Sequence, residues 1–123
     1  MAHVYLAVPL STDRLALRLL LMDLNVNVIG EAADWSTTLD QLPLYRTDLL
    51  VVDWDLIITK PVVALQELRE ACPAAMLVVL IKHPDTRQQA SISAGGATFL
   101  CKDETPDHFI ERLRVIADLL PPD

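Results

Sequence analysis

At 123 residues, 52% of them hydrophobic, the chain is sized for one domain spanning 1–123 whose core needs no staples, which excludes intrinsic disorder. Its 17 Asp and Glu outnumber 10 Lys and Arg, giving a formal charge of −7 with no basic cluster, so direct nucleic-acid binding by this segment is excluded.

His3 to Val8 places Val4, Leu6 and Val8 in a short aliphatic run bounded by Pro9 and by Ser11-Thr12-Asp13, the pattern of a buried strand. From Thr12, the expected N-cap, Leu17, Leu20, Leu21 and Leu24 repeat at helical spacing, and the helix should end near Asn25. Val26 to Ala32 reads as the second strand. Trp35 to Leu42 reads as a second helix that Pro43 keeps short.

Leu49 to Trp54 is a continuous apolar run that ends in Asp53 and Trp54, as expected of a strand covered on both faces whose last residues emerge at the sheet edge. The third helix starts near Pro61, sets Val62, Leu65 and Leu68 on one side, and stops at Cys72-Pro73. Met76 to Ile81 is the fourth strand. Asp85 or Thr86 opens a weakly apolar helix with Ala90, Ile92 and Ala94, closed by Gly95-Gly96 and expected to be the most mobile.

Ala97 to Leu100 is the fifth strand, and Thr105-Pro106-Asp107 supplies an N-cap, an N1 proline and a first-turn acid. Phe109, Leu113, Ile116, Ala117 and Leu120 form the buried face of the last helix, which Pro121-Pro122 closes. No apolar stretch can span a bilayer: Met76 to Ile81 is short, and Leu15 to Leu24 is cut by Arg18 and Asp23. Met1-Ala2-His3-Val4 runs into the first strand without a basic n-region, and Cys72 and Cys101 form no metal or disulfide pattern. A cytoplasmic, reduced protein is expected.

Five strands alternating with five helices through short connections predict an α/β fold, a single doubly wound five-stranded parallel sheet of flavodoxin-like order 2-1-3-4-5. Chemistry in such a sheet sits beyond the carboxyl ends of the strands, at Val8 to Leu10, Asp53 to Asp55, Ile81 to His83 and Leu100 to Asp103. Among other candidates, Asp53 and Asp55 are sent different ways by strand alternation, so they form no acid–base pair. Trp35 and Trp54 read as packing residues, and His3 and His108 as surface residues in no metal motif.

Three stretches carry a family resemblance: Val28-Ile29-Gly30-Glu31-Ala32, Thr47 to Asp53, and Ala94-Gly95-Gly96-Ala97-Thr98-Phe99-Leu100-Cys101-Lys102-Asp103. Over essentially its whole length the chain resembles the receiver domain of bacterial two-component response regulators, most like those preceding a helix-turn-helix output. The resemblance implies that Asp53 holds the phosphoacceptor position and Lys102 that of its lysine partner.

Four positions depart from the pattern. A carboxylate attacking a phosphoryl group needs a metal ion to offset the charge, and magnesium wants oxygen ligands. Where the family has two acids after the first strand, this chain has Val8-Pro9-Leu10. Ile81 stands for the family's hydroxyl residue, followed by Lys82. Ile57 replaces a proline, and Phe99 holds the aromatic switch position without a hydroxyl.

These departures predict a signalling module, not an enzyme, that acts by protein–protein interaction with no cofactor and weak or absent Mg²⁺ binding. Asp53 and Lys102 then form a vestigial site, an ion pair in a formerly catalytic crevice. The resemblance implies a partner protein or output domain and a homodimer through the last two strands and helices. Two alternatives stay open: a phosphorelay receiver using Asp53, possibly controlling a DNA-binding output, and a sensor of a small anion held by Lys82, His83 and Lys102.

Overall fold

The computed structural model describes residues 1–121. The elements run β1 (His3–Ala7), α1 (Ser11–Asp23), β2 (Asn27–Ala32), α2 (Trp35–Gln41), β3 (Leu49–Asp53), α3 (Pro61–Ala71), β4 (Met76–Ile81), α4 (Thr86–Ala94), β5 (Thr98–Cys101) and α5 (Pro106–Asp118). The strands form one 5-stranded sheet in the order β2-β1-β3-β4-β5, every pair parallel. Both the fold class and the strand order expected from the sequence hold.

Strand alternation divides the core in two. Tyr5, Ala7, Leu50, Val52, Val79 and Ile81 point to the face covered by Leu65 and Leu68 of α3 and Ile92 of α4, with Trp35 and Leu39 of α2 at its margin. Val4, Leu6, Leu49, Val51, Val78 and Leu80 point the other way, against Leu17 and Leu21 of α1 and Leu113 and Ile116 of α5. The unbroken apolar runs of β3 and β4 exist because both of their faces are covered.

Several boundaries differ from the sequence reading. Helix α1 starts at Ser11, so Leu10, not Thr12, is the N-cap, and it makes no side-chain capping bond. Arg14 from the first turn bonds back to the carbonyls of Val8, at 2.6 Å, and Pro9, at 3.0 Å. Asp13 lies in the first helical turn, where an acid suits the helix dipole. Helix α2 stops at Gln41, and Leu42–Leu44 forms a 3-10 turn around Pro43. Trp54 likewise leaves the sheet for a short 3-10 turn, Trp54–Leu56.

Strand β5 lies one residue later than expected, because Ala97 is spent on a bond from its N–H to the Ile92 carbonyl that closes α4. Val62 is exposed, since the first turn of α3 stands at the rim the chain has just left. Ala90 and Ala94 are exposed too, which leaves Ile92 as the one buried side chain of α4. The closure by Pro121-Pro122 falls partly outside the described residues.

Tyr5 shows how the sheet accommodates a large residue. The β1–β2 register slips between Val4 and Tyr5, so that Tyr5 faces Gly30, where a Cβ would come within 2.6 Å of the ring. The phenol donates to Gln41 of α2. At the other end of the same face, Arg69 of α3 donates to the Gly95 and Gly96 carbonyls at 3.0 and 2.8 Å, capping the end of α4.

Burial pushes the Tyr5 phenol up to about 12. A raised folded-state value favours the protonated form, so the stabilisation is complete below the ordinary value of 10.0 and is lost as pH climbs towards about 12. Tyr5→Phe should cost about 1 kcal/mol at neutral pH, from the lost bond to Gln41, and should flatten the alkaline fall. Urea unfolding at stepped pH measures both. Ile92→Ala removes the one buried side chain of α4, at about 2–4 kcal/mol. Amide exchange should accelerate in α4 before β3 and β4 respond.

Candidate functional site

Parallel strands deliver Ala7, Asp53, Ile81 and Cys101 to the same edge of the sheet, where the loops that follow enclose a crevice. It is lined by Leu10, Trp54 and Ile58 on its apolar side and by Asp13, Asp53, Asp55, Lys82, His83, Lys102 and Asp103 on its polar side. Asp53 ends a fully buried strand and is itself only 3% exposed. Such a carboxylate requires partners, because desolvation penalises an unpaired charge.

Each of its oxygens has one. Oδ1 accepts the Asp55 N–H at 3.0 Å, and Oδ2 receives the Lys102 ammonium at 2.5 Å. The Lys102 Nζ also reaches Asp13 Oδ2, at 3.1 Å. Three elements far apart in sequence, the first turn of α1, the end of β3 and the loop after β5, thus meet on one ammonium.

Burial is the largest single influence on Lys102 and would lower its pKa; the hydrogen bonds and charges of Asp53, then of Asp13, together outweigh it and hold the group above its ordinary value. Lys102 stays protonated, and the clamp's contribution is complete below the ordinary lysine range and lost as pH rises through the raised value.

The expected pair, Asp53 and Lys102, is therefore brought together. Lys82 and His83 do not join it: Lys82 is exposed, and His83 is paired with Asp103 at the rim. The three cations of the anion-sensor reading, Lys82, His83 and Lys102, line the same crevice, with Lys102 bound to two carboxylates. Asp55 is exposed and meets Asp53 through its backbone N–H, so the two acids form no acid–base pair. Trp54 is half-buried on the crevice wall, while Trp35 lies in a separate groove between α2 and α3.

Asp13 was not among the residues singled out from the sequence. Its signal was present: an acid in the first turn after β1 lies beside the strand ends, wherever that helix begins. Arg112 was missed as well. Its guanidinium lies 5.1 Å from the Phe99 ring centre, donates to the Phe99 carbonyl at 3.0 Å and pairs with Glu104 at 2.6 Å. Phe99 is thereby held between the α3–α4 core and a cation.

Magnesium in a crevice of this kind would need several oxygen ligands in near-octahedral geometry. Val8 and Pro9 offer no side-chain oxygen, and Val8 is completely buried. Both Asp53 oxygens are engaged. The residues present do not fit the ion.

No family model matches the sequence, and no curated protein matches it. Solved structures do match. The receiver domain of RcsB from Salmonella enterica serovar Typhimurium, determined with the phosphomimetic BeF3−, superposes with a TM-score of 0.83 at 17% identity, covering 96% of this chain and 89% of that one. The fold is that of a response-regulator receiver domain. A response regulator from Thermotoga maritima gives 0.80 at 21% identity over 96% of this chain and 98% of that one. The receiver domain of sensor histidine kinase PA1611 from Pseudomonas aeruginosa PAO1, with magnesium coordinated in its active-site cleft, gives 0.75 at 17% identity over 95% and 94%. The receiver resemblance read from the sequence holds as a fold, and the identities mark strong divergence.

The clamp makes a stability prediction. Lys102→Met leaves Asp53 buried without its counter-ion and should cost about 3 kcal/mol, whereas Lys102→Met combined with Asp53→Asn should recover most of that loss. Denaturant unfolding of the wild type, both single variants and the double variant gives the coupling. Additive single effects would show that the contact contributes nothing.

Proposed function

We propose that this chain is a divergent response-regulator receiver, a cytoplasmic signalling module and not an enzyme, that works by protein–protein association without Mg²⁺-dependent phosphorylation. The observation that carries this reading is the Lys102 ammonium on Asp53 Oδ2 at 2.5 Å, in a crevice where Val8 and Pro9 stand at the positions expected to hold acids. An internal cation neutralises the acceptor carboxylate, so no metal ion is needed to stabilise it. No helix among the described residues is long and apolar enough to cross a membrane.

The association surface we assign is the side built from β4, β5, α4 and α5, used for a homodimer or for contact with an output domain. Support comes from the exposed Val115 of α5 and Leu119 at its C-cap, beside a groove against β5, and from α4 burying only Ile92. RcsB has been solved bound to promoter rprA with BeF3−, and this chain covers 69% of the RcsB chain in that structure. A DNA-binding output would lie in a further domain, since this one is acidic.

A second reading, phosphorylation at Asp53 in a phosphorelay, is favoured by one observation: the carboxylate sits at the end of β3, in the crevice. Beryllofluoride with a magnesium titration separates the two readings, followed by Trp54 fluorescence in a Trp35→Phe background. A flat trace to millimolar Mg²⁺ is the expected result. Saturable quenching would establish the second reading instead.

A further inference from the structure

We propose that the outward face of α1 is a self-association surface whose occupant is a second copy of this chain, laid antiparallel, α1 on α1. The proposal goes beyond the functional reading above: it concerns a face other than the β5 side and does not depend on the chemistry of Asp53.

Helix α1 is apolar on two opposite sides. Leu17 and Leu21 are buried against the sheet, with Leu20 and Leu24 packed beside them. On the other side Leu15 and Leu19 are 53% exposed and Met22 is 60% exposed. With the exposed Thr12, these residues follow the alternating three- and four-residue spacing of a coiled-coil seam. Apolar residues all round a helix mark one that is covered all round, and a single chain covers only one side of this one. Scattered exposed leucines carry no such message, whereas three large apolar side chains in register along one helix do.

The two ends of the helix select the occupant. At the start, Leu10 makes no side-chain capping bond, so the first-turn N–H groups lack that partner, and Asp13, the acid of that turn, is engaged by Lys102 at 3.1 Å. At the other end Asp23 is an exposed acid in a last turn that holds no basic residue, where the helix dipole disfavours it. An antiparallel copy sets each carboxyl end beside the other's amino end. Asp23 of each chain then approaches the uncapped first turn of the other, and two-fold symmetry makes the contact twice. Leu15 packs on Leu19 across the seam, and Thr12 on Met22. One surface supplies both the complementary apolar stripe and the complementary ends, which identifies a second copy as the partner.

The size of the seam sets the strength. A helix of 13 residues is about 20 Å long, so the contact falls short of the roughly 800 Å² per partner of a standard interface. The expected dimer is weak, with a Kd of about 10–100 μM.

Sedimentation velocity of the full chain, from low-micromolar to near-millimolar concentration, should show a reversible monomer–dimer equilibrium. Leu15→Glu and Leu19→Glu, both on exposed positions, should each weaken it at least about tenfold with little change in melting temperature. Val115→Glu, on α5, should leave it unchanged. Asp23→Lys should move two readouts in opposite directions, raising the melting temperature of the dilute monomer while weakening the dimer about threefold. Thr12→Cys mixed with Met22→Cys should form the mixed disulfide in preference to either homodisulfide, since the native Cys72 and Cys101 are buried.

A monomer at every concentration overturns the proposal. So does a dimer that survives both leucine substitutions or that Val115→Glu abolishes. Asp23→Lys proteins that dimerise as well as or better than wild type, or a predominance of homodisulfides, overturn the antiparallel arrangement. The functional reading fails separately, through a saturable beryllofluoride response of the wild type, whatever its state of association.

Discussion

A single ammonium at the carboxyl edge of the sheet is shared by two carboxylates from different elements, and the arrangement of the crevice depends on that sharing. Asp53 is carried into the interior because β3 is covered on both faces, so its charge must be offset where it stands. Lys102 is only partly buried and reaches Asp53 and Asp13 together. Desolvation and attraction nearly cancel in most buried ion pairs. Here the raised pKa of Lys102 shows that the carboxylates prevail over burial.

The two-sided packing sets where the clamp can form. Helix α1 shares a face with α5, and the α1 start at Ser11 points its first turn at the loop leaving β5. Leu10 caps poorly, and Arg14 compensates by bonding the Val8 and Pro9 carbonyls just before the helix.

The fold was legible because its signals are local and redundant. Apolar runs such as Met76 to Ile81, and breakers such as Pro43, Pro61 and Gly95-Gly96, mark the elements within a residue or two. Asp53 and Lys102 were legible because they end strands. Asp13 was not, because it lies beyond the β1 exit at Val8 to Leu10, in the first turn of the following helix. Val62, Ala90 and Ala94 were misplaced for a related reason. Periodicity reports which side of a helix is apolar, whereas burial depends on whether a strand lies beneath that turn.

That distinction also describes how helix α4 is attached. Helix α4 is joined to the core by Ile92 and to α3 by the Arg69 bonds at its end, so its attachment is weak in the middle and firm at one terminus. Phe99, on the neighbouring edge strand, is fixed by Arg112 from α5. Arg112 on α5 thus touches Phe99, and β5 runs on from there to the segment that carries Lys102. The Phe99–Arg112 contact and the ammonium clamp therefore lie along one short strand, β5, and just beyond it, where it pairs with β4.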